Sequence, residues 1–167
     1  MQKTDIALLI IRLIVGVTLI LHGLNHAFGG GKVAGTAEWF ESLGMKYGKL
    51  QALLSIFVEI LAGLALILGI FTPLAVASII SVMLVAGVTS HRNNGFFVFK
   101  DGYEYVLMIG IICVAVGVAG AGMISIDHLL GMNYDSWVGI KISVGLGVLG
   151  AAALLAIFWR PLQKSKG

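Results

Sequence analysis

The residues of this chain that could do chemistry are few, and they stand in or beside its most apolar stretches: Arg12, His22, His26, Glu59, His91 and Glu104. Imidazole and carboxyl groups can exchange protons near neutral pH. An ionisable group inside a lipid-soluble helix is costly to insert, so it faces a protein interior or a ligand in preference to acyl chains. The densest group lies between Arg12 and His26, where Arg12, His22, Asn25 and His26 share one helix with Gly16 and Gly23. His22 and His26 are four residues apart, a spacing that can offer two imidazoles to a metal ion. No third ligand accompanies them in the sequence, so no metal is expected. The run Gly29, Gly30, Gly31, Lys32 lacks the spacing and the following Ser or Thr of a phosphate loop and reads as a helix exit. Cys113 is the single cysteine, set in an apolar segment; an intrachain disulfide and a Cys-x-x-Cys motif are excluded, and a small core residue is expected.

Positioning such groups requires helices that cross a bilayer. The 167 residues are 59% hydrophobic and 11% charged, with a mean hydropathy of +1.02, a composition that would be nearly insoluble as a globular domain. A spanning helix needs about 20 mostly apolar residues, and five stretches meet or approach that length: 6–28, 50–71, 74–89, 103–119 and 138–159. The expected fold is all-α, a single polytopic membrane bundle over 1–167. The first stretch is broken by Arg12, ends in histidines and lacks a small-x-small cleavage site, so it reads as a span and not as a signal peptide.

The connections are short. Residues 36–43 form either a short amphipathic helix with Trp39 and Phe40 in the headgroup layer or a plain loop. Thr72 and Pro73 make a tight turn, Pro73 suiting the first helical position, and Asn94-Gly95 is a turn signal. Around Glu59 lie Ala52, Ser55, Ala62 and Gly63 on one face, which lets another helix come close. The fifth stretch carries Gly139, Ser143, Gly147 and Ala151, a ridge for another helix or another subunit.

The formal charge of +3 comes from loops and tail and reports topology, not nucleic-acid binding. Lys32, Lys46, Lys49, Arg92, Lys100, Arg160, Lys164 and Lys166 fall on one side of five alternating spans, against Lys3 and Lys141 on the other. The positive-inside rule then puts the N-terminus outside and the C-terminus in the cytoplasm, in the cytoplasmic membrane. With a rise of ~1.5 Å per residue, His26 lies ~3 Å from the loop-one end, His22 ~9 Å, Glu59 ~14 Å and Arg12 ~24 Å. Side chains lean toward the N-terminus of their own helix, which directs His22 and Glu59 toward each other. Glu104 and His91 stand near the entrance on the same face. Arg12 lies deeper, its partner either Glu59 or an acceptor such as Asp127 near the opposite surface. Two readings of these groups stand side by side: ion pairs that hold helices in register, or a polar pocket.

Several motifs in order resemble the DoxX family of small membrane proteins: Arg12, Gly16, His22 and Gly23 on the first helix; Glu59, Gly63 and Gly69 on the second; Asn94-Gly95-Phe96-Phe97; Gly102-Tyr103-Glu104-Tyr105; and Gly120, Gly122, Ser125 and Asp127. The resemblance covers about residues 8–130. It implies a compact four-helix membrane core, to which the fifth, C-terminal transmembrane helix is an addition. Some members are associated with thiosulfate:quinone oxidoreductase and others with membrane complexes that respond to oxidative or thiol stress. His26 departs from the family, standing near where relatives often carry a lysine.

The leading expectation is a ligand pocket formed by His22, His26, Glu59 and Glu104, with Arg12 and His91, that engages a quinone or similar amphipathic molecule, alone or as part of a quinone-linked oxidoreductase. The alternative is a non-catalytic scaffold or accessory subunit that meets a membrane or redox protein, or a second copy of itself, through the fifth helix. A small transporter with buried carboxylates as proton carriers is a third reading, disfavoured by the lack of an internal repeat.

Overall fold

The computed structural model describes residues 2–132, 134 and 136–161, with only the backbone of Ser136. Asp135, and Lys164 and Lys166 of the charge count, lie outside the described residues. The chain runs α1 (Lys3–Phe28), α2 (Lys32–Ser42), α3 (Gly48–Leu68), α4 (Thr72–Ala86), α5 (Glu104–Ala119), α6 (Ile126–Leu129) and α7 (Ser136–Phe158). α4 passes without a break into a π-helical turn, Gly87–His91, and a 3-10 turn, Arg92–Asn94. The third span is therefore longer than its apolar run: Thr72–Asn94 is continuous helix of 23 residues. α1, α3, α4 with its extension, and α7 are long and apolar enough to cross a membrane, whereas α5 has 16 residues, ~24 Å at 1.5 Å per residue. The protein is an all-α polytopic membrane bundle.

Residues 36–43 fall largely within α2, which begins four residues earlier than the expected helix, after Gly31 turns the chain in the left-handed region at φ +62°. Trp39 remains exposed while Ala37 is buried, the division an interfacial helix needs.

Two close helix pairs make the frame. α1 packs along α3, and α4 along α7, with α3 and α4 joining the pairs and α5 filling the space beside α4 and α7. The α1–α3 crossing depends on glycine from both sides: a Cβ at Gly16 would stand 2.6 Å from the Gly63 carbonyl oxygen, and one at Gly63 would stand 2.6 Å from that of Gly16. The small face of α7 does the same against α4 and α5. A Cβ at Gly147 would meet Ile80 at 2.8 Å, one at Gly139 the Gly117 carbonyl oxygen at 2.8 Å, and Ser143 is fully buried and donates to the Pro73 carbonyl at 3.3 Å. The ridge seen in the sequence is thus occupied by helices of the same chain. The apolar core runs through the centre, from Leu19 and Leu66 to Val76, Ile79, Cys113 and Val116.

Each end of the bundle is tied differently. At the loop-one end, the segment after α2 pairs with the end of α7: Lys46 N donates to the Phe158 carbonyl at 2.8 Å, Arg160 N to that of Gly44 at 2.9 Å, and Trp159 Nε1 to that of Leu43 at 2.9 Å. Arg92 lies over the Trp159 ring, 5.1 Å from its centroid, which draws the α4–α5 connection to the same end. At the opposite end Asp127 accepts from Phe71 N at 2.7 Å and Thr72 N at 2.9 Å, capping α4, while its own N–H donates to the Gly69 carbonyl at 2.8 Å. Asp5 accepts from Met123 N at 2.9 Å.

Candidate functional site

A cavity of about 370 Å³ lies between α3 and α7, which both pack on α4 but scarcely on each other. α4 forms its back with Ala77, Ser78, Ser81, Val82 and Val85; α3 supplies Gln51, Leu54, Ser55, Val58 and Glu59; α7 supplies Leu146, Gly150 and Leu154. Trp39 and Phe40 of α2, with Met45, close the loop-one end, and the π-helical turn adds Thr89 and Ser90. Leu54, Leu74 and Leu146 are partly exposed on the outer flank, so the cavity opens sideways, toward lipid. Its size lies in the ~300–1,000 Å³ range of small-molecule sites, and an apolar lining with a few placed polar groups is the usual composition of such sites.

The chemical centre of this cavity is Glu59, about midway along α3 and 3% exposed. It reaches that position because Gly23 on α1 leaves a notch; a Cβ there would stand 3.4 Å from Glu59 Cβ and 3.1 Å from the Ile56 carbonyl oxygen. Ser55, one turn earlier, donates to Glu59 Oε1, and His26 Nε2 lies 3.7 Å from the same oxygen. The other oxygen, Oε2, is buried with no hydrogen-bond partner in the protein. Leaving such a group unmatched costs ~1–3 kcal/mol, more if charged. The His26 ring is stacked on Trp39 at 5.9 Å and tilted against Phe40 at 5.9 Å between centroids. The Thr36 hydroxyl donates to the His26 carbonyl at 2.9 Å, fastening α2 over this corner.

The six residues singled out in the sequence divide into four places. His26 and Glu59 meet at the cavity. His22, one turn before His26, points away from it: its Nε2 lies 3.0 Å from the Tyr105 hydroxyl on α5, with the two rings stacked at 5.6 Å. The leaning argument brought Glu59 to the histidine face of α1 but to His26, because Gly23 sets the contact between the two histidines. Glu104 and His91 shape the α4–α5 connection: Glu104 Oε2 accepts from Val98 N at 2.9 Å, and His91 Nδ1 lies 2.7 Å from the Asp101 carbonyl oxygen. Neither lines the cavity. Arg12 is fully buried at the far end, where Nη2 donates to the Ile124 carbonyl. Its partner is a backbone carbonyl near the opposite surface, and neither Glu59 nor Asp127 stands in an ion pair with it; Arg12 lines neither this cavity nor the smaller one near it.

That smaller cavity, about 250 Å³, is bounded by Asp5, Thr72, Asp127 and His128. The Thr72 hydroxyl there has no partner, but both oxygens of Asp5 and of Asp127 accept backbone N–H groups. Among the described residues no three of His, Cys, Asp and Glu converge as metal ligands. Of the cavity's polar residues, Gln51 and Ser81 carried no signal in the sequence. Ser55 did stand four residues before Glu59, the interval that places two side chains one above the other, but it reads there only as a small packing residue.

A bundle of apolar membrane helices with a laterally open cavity and one buried, half-satisfied carboxyl group defines an integral membrane protein with a candidate site for a lipid-soluble ligand. The DoxX family model matches residues 7–92, and the chain belongs to that family. The match takes in α1 to the π-helical turn, hence Glu59, His26 and the back of the cavity; it ends before the Gly102 and Gly120 motifs and before α7. Comparison with curated proteins and with solved structures gave no match.

Proposed function

We propose that the cavity between α3 and α7 binds an amphipathic, lipid-soluble quinone, with its ring against Glu59 and His26 and its tail leaving between the helices into the bilayer. The observation that carries this reading is Glu59, a buried carboxyl group among the residues that line a cavity of ligand size, with one oxygen, Oε2, that has no hydrogen-bond partner. A quinone ring offers oxygens that a protonated carboxyl group can donate to, and the reduced form offers hydroxyls that a carboxylate can accept. The apolar walls suit a hydrocarbon tail, and the lateral opening admits it without crossing water. The residues present fit such a cofactor, which supplies reversible two-electron chemistry when bound. Glu59 and His26 would orient the ring and hold a proton beside it. Whether this chain reduces or oxidises the ligand alone or serves a redox partner is the choice between enzyme and accessory subunit. For the accessory role the small-residue face of α7 is already covered by α4 and α5, leaving the outer face with Val148, Leu149 and Ile157.

Titration of the purified full chain with short-tailed menaquinone and ubiquinone analogues, followed through Trp39 fluorescence, tests the reading. Saturable quenching is expected. Glu59→Gln and His26→Ala are each expected to weaken it by about 10-fold or more, the equivalent of one hydrogen bond to a buried ionisable group. His22→Ala is expected to leave it unchanged. Non-saturable partitioning, or binding indifferent to both cavity variants, would refute the proposal.

We further place the protein in the cytoplasmic membrane with the N-terminus outside. Lys32, Lys46, Lys49, Arg92, Lys100 and Arg160 all stand at the loop-one end, and that asymmetry supports the orientation.

A further inference from the structure

We propose that the Ser81 hydroxyl is the second polar anchor of the cavity, so that the site takes a ring carrying oxygens on two opposite edges, one met by Glu59 and the other by Ser81. This rests on the reading of the cavity as a quinone site, and it narrows the ligand to one with two separated oxygens, as against a lipid with a single polar end.

The other hydroxyls of the cavity wall are already committed within the protein. Ser55 donates to Glu59 Oε1, Ser78 to the Leu74 carbonyl at 3.0 Å and Thr89 to that of Val85 at 2.8 Å. The Ser90 hydroxyl lies 3.4 Å from that of Thr89, and the Gln51 amide donates toward the loop-one end, to the Lys46 carbonyl at 3.4 Å. Ser81 differs. A serine in mid-helix can return its hydroxyl to the carbonyl one turn back, as Ser78 does. The Ser81 hydroxyl has no hydrogen-bond partner among the described residues, although the side chain is half-buried and lines the cavity.

The packing of α7 keeps that hydroxyl open. Gly150 stands opposite it: a Cβ there would be 3.2 Å from Ser81 Oγ and 3.7 Å from Ser81 Cβ. Ser81 therefore lies on the α7 side of the cavity, with Glu59 on the α3 side. Their heights match. α3 ends at Leu68 and α4 begins at Thr72, so Glu59 is nine residues before one end of the connecting turn and Ser81 nine residues after the other. At 1.5 Å per residue both lie ~13–14 Å from that turn.

Two groups at one level on different walls suit a planar ring held by opposite edges. A para-quinone carries its two carbonyl oxygens there, and both accept; Glu59 as the protonated acid and Ser81 as a hydroxyl give each a donor. In the reduced ligand both oxygens become hydroxyls, and Glu59 Oε2 and Ser81 Oγ can accept from them. A long-chain acid or alcohol has its polar atoms together at one end. Bound at Glu59, it would leave the Ser81 hydroxyl covered by hydrocarbon without a partner, and a site built to meet an oxygen rejects a ligand that lacks it.

The test uses the full chain in lipid nanodiscs and a short-tailed para-benzoquinone isotope-labelled at one carbonyl carbon or the other. Trp39 fluorescence gives the affinity and infrared absorption the two carbonyl stretches. In the wild-type chain both stretches are expected below their position in hydrocarbon solvent. Ser81→Ala is expected to return one of them to that position, to leave the other in place, and to weaken binding about 5-fold, the equivalent of one neutral hydrogen bond. Glu59→Gln is expected to move the other stretch only. Because the Ser81 hydroxyl holds nothing within the protein, the unfolding midpoint of Ser81→Ala is expected at or above that of wild type, alanine being the better helix former. Wild-type carbonyl stretches in Ser81→Ala would overturn the second anchor, whether or not affinity fell, and would leave the cavity reading standing. Absence of saturable quinone binding in the wild-type chain would remove that reading and the anchor with it.

Discussion

Replacing Asp127 by Asn separates the two ends of the bundle, because it is nearly isosteric and alters only what the carboxylate holds. Asp127 is 2% exposed and accepts from Phe71 N at 2.7 Å and Thr72 N at 2.9 Å, one on each oxygen. Asn keeps one acceptor and turns an NH2 toward the other backbone N–H. A hydrogen bond to a charged group contributes ~1.5–3 kcal/mol, and a buried donor left unmatched costs ~1–3 kcal/mol. Arg12 is fully buried at the same end, with Nε and Nη1 lacking partners and Nη2 donating to the Ile124 carbonyl. The sum of the two Asp127 terms is a loss of roughly 3–5 kcal/mol. Equilibrium unfolding in mixed detergent micelles, followed by circular dichroism, measures it. Asp127→Asn combined with Arg12→Met is expected to be less destabilised than the sum of the single variants, since removing both charges leaves neither uncompensated. A loss below ~1 kcal/mol for Asp127→Asn, or strict additivity in the double variant, would refute the view of Arg12 as a structural tie.

Gly147→Leu places a side chain where Ile80 already stands at 2.8 Å and the Ala77 carbonyl oxygen at 3.0 Å; overpacking costs ~1–3 kcal/mol, so the unfolding midpoint is expected to fall and quinone affinity with it as α7 lifts from α4. An unchanged midpoint with selective loss of a co-purifying protein would instead show that the ridge serves a partner. For orientation, Gln2→Cys is expected to react with an impermeant maleimide in intact cells, and Val98→Cys only after the membrane is opened; the reverse pattern would invert the topology.

The bundle was legible because apolar length is a strong signal, and five runs of near-spanning length leave little alternative. The third span read too short because its last turns, Thr89 to Asn94, are polar; they stay helical through a π-turn in which the Thr89 hydroxyl donates to the Val85 carbonyl at 2.8 Å. For the site, depth and helical phase put Glu59 on the histidine face of α1, and the structure has His26 there. The same arithmetic could not separate His22 from His26, since a 100° step per residue leaves both on one face and the contact is decided by Gly23. Glu104 and His91 lay at the right depth, but each folds onto its own connection, Val98 and Asp101 being closer than the cavity. The small residues of α7 signalled a close contact without saying with what. Sequence spacing defines a ridge and cannot tell a helix of the same chain from one of another.

The contrast between the two ends follows from what their carboxyl groups touch. At the far end Asp5 and Asp127 spend all four oxygens on backbone N–H groups of helix starts and turns, donors that would otherwise be unmatched in a membrane. Those acids are explained by the backbone they hold. Glu59 caps nothing: it stands mid-helix, where α3 satisfies its own N–H groups, and it binds only a serine and lies near a histidine. Leu or Met would fill the same notch without the penalty of a buried carboxyl group. A stability argument therefore accounts for Asp5 and Asp127 and fails for Glu59, whose unpartnered oxygen and adjoining cavity are what the proposed ligand would account for.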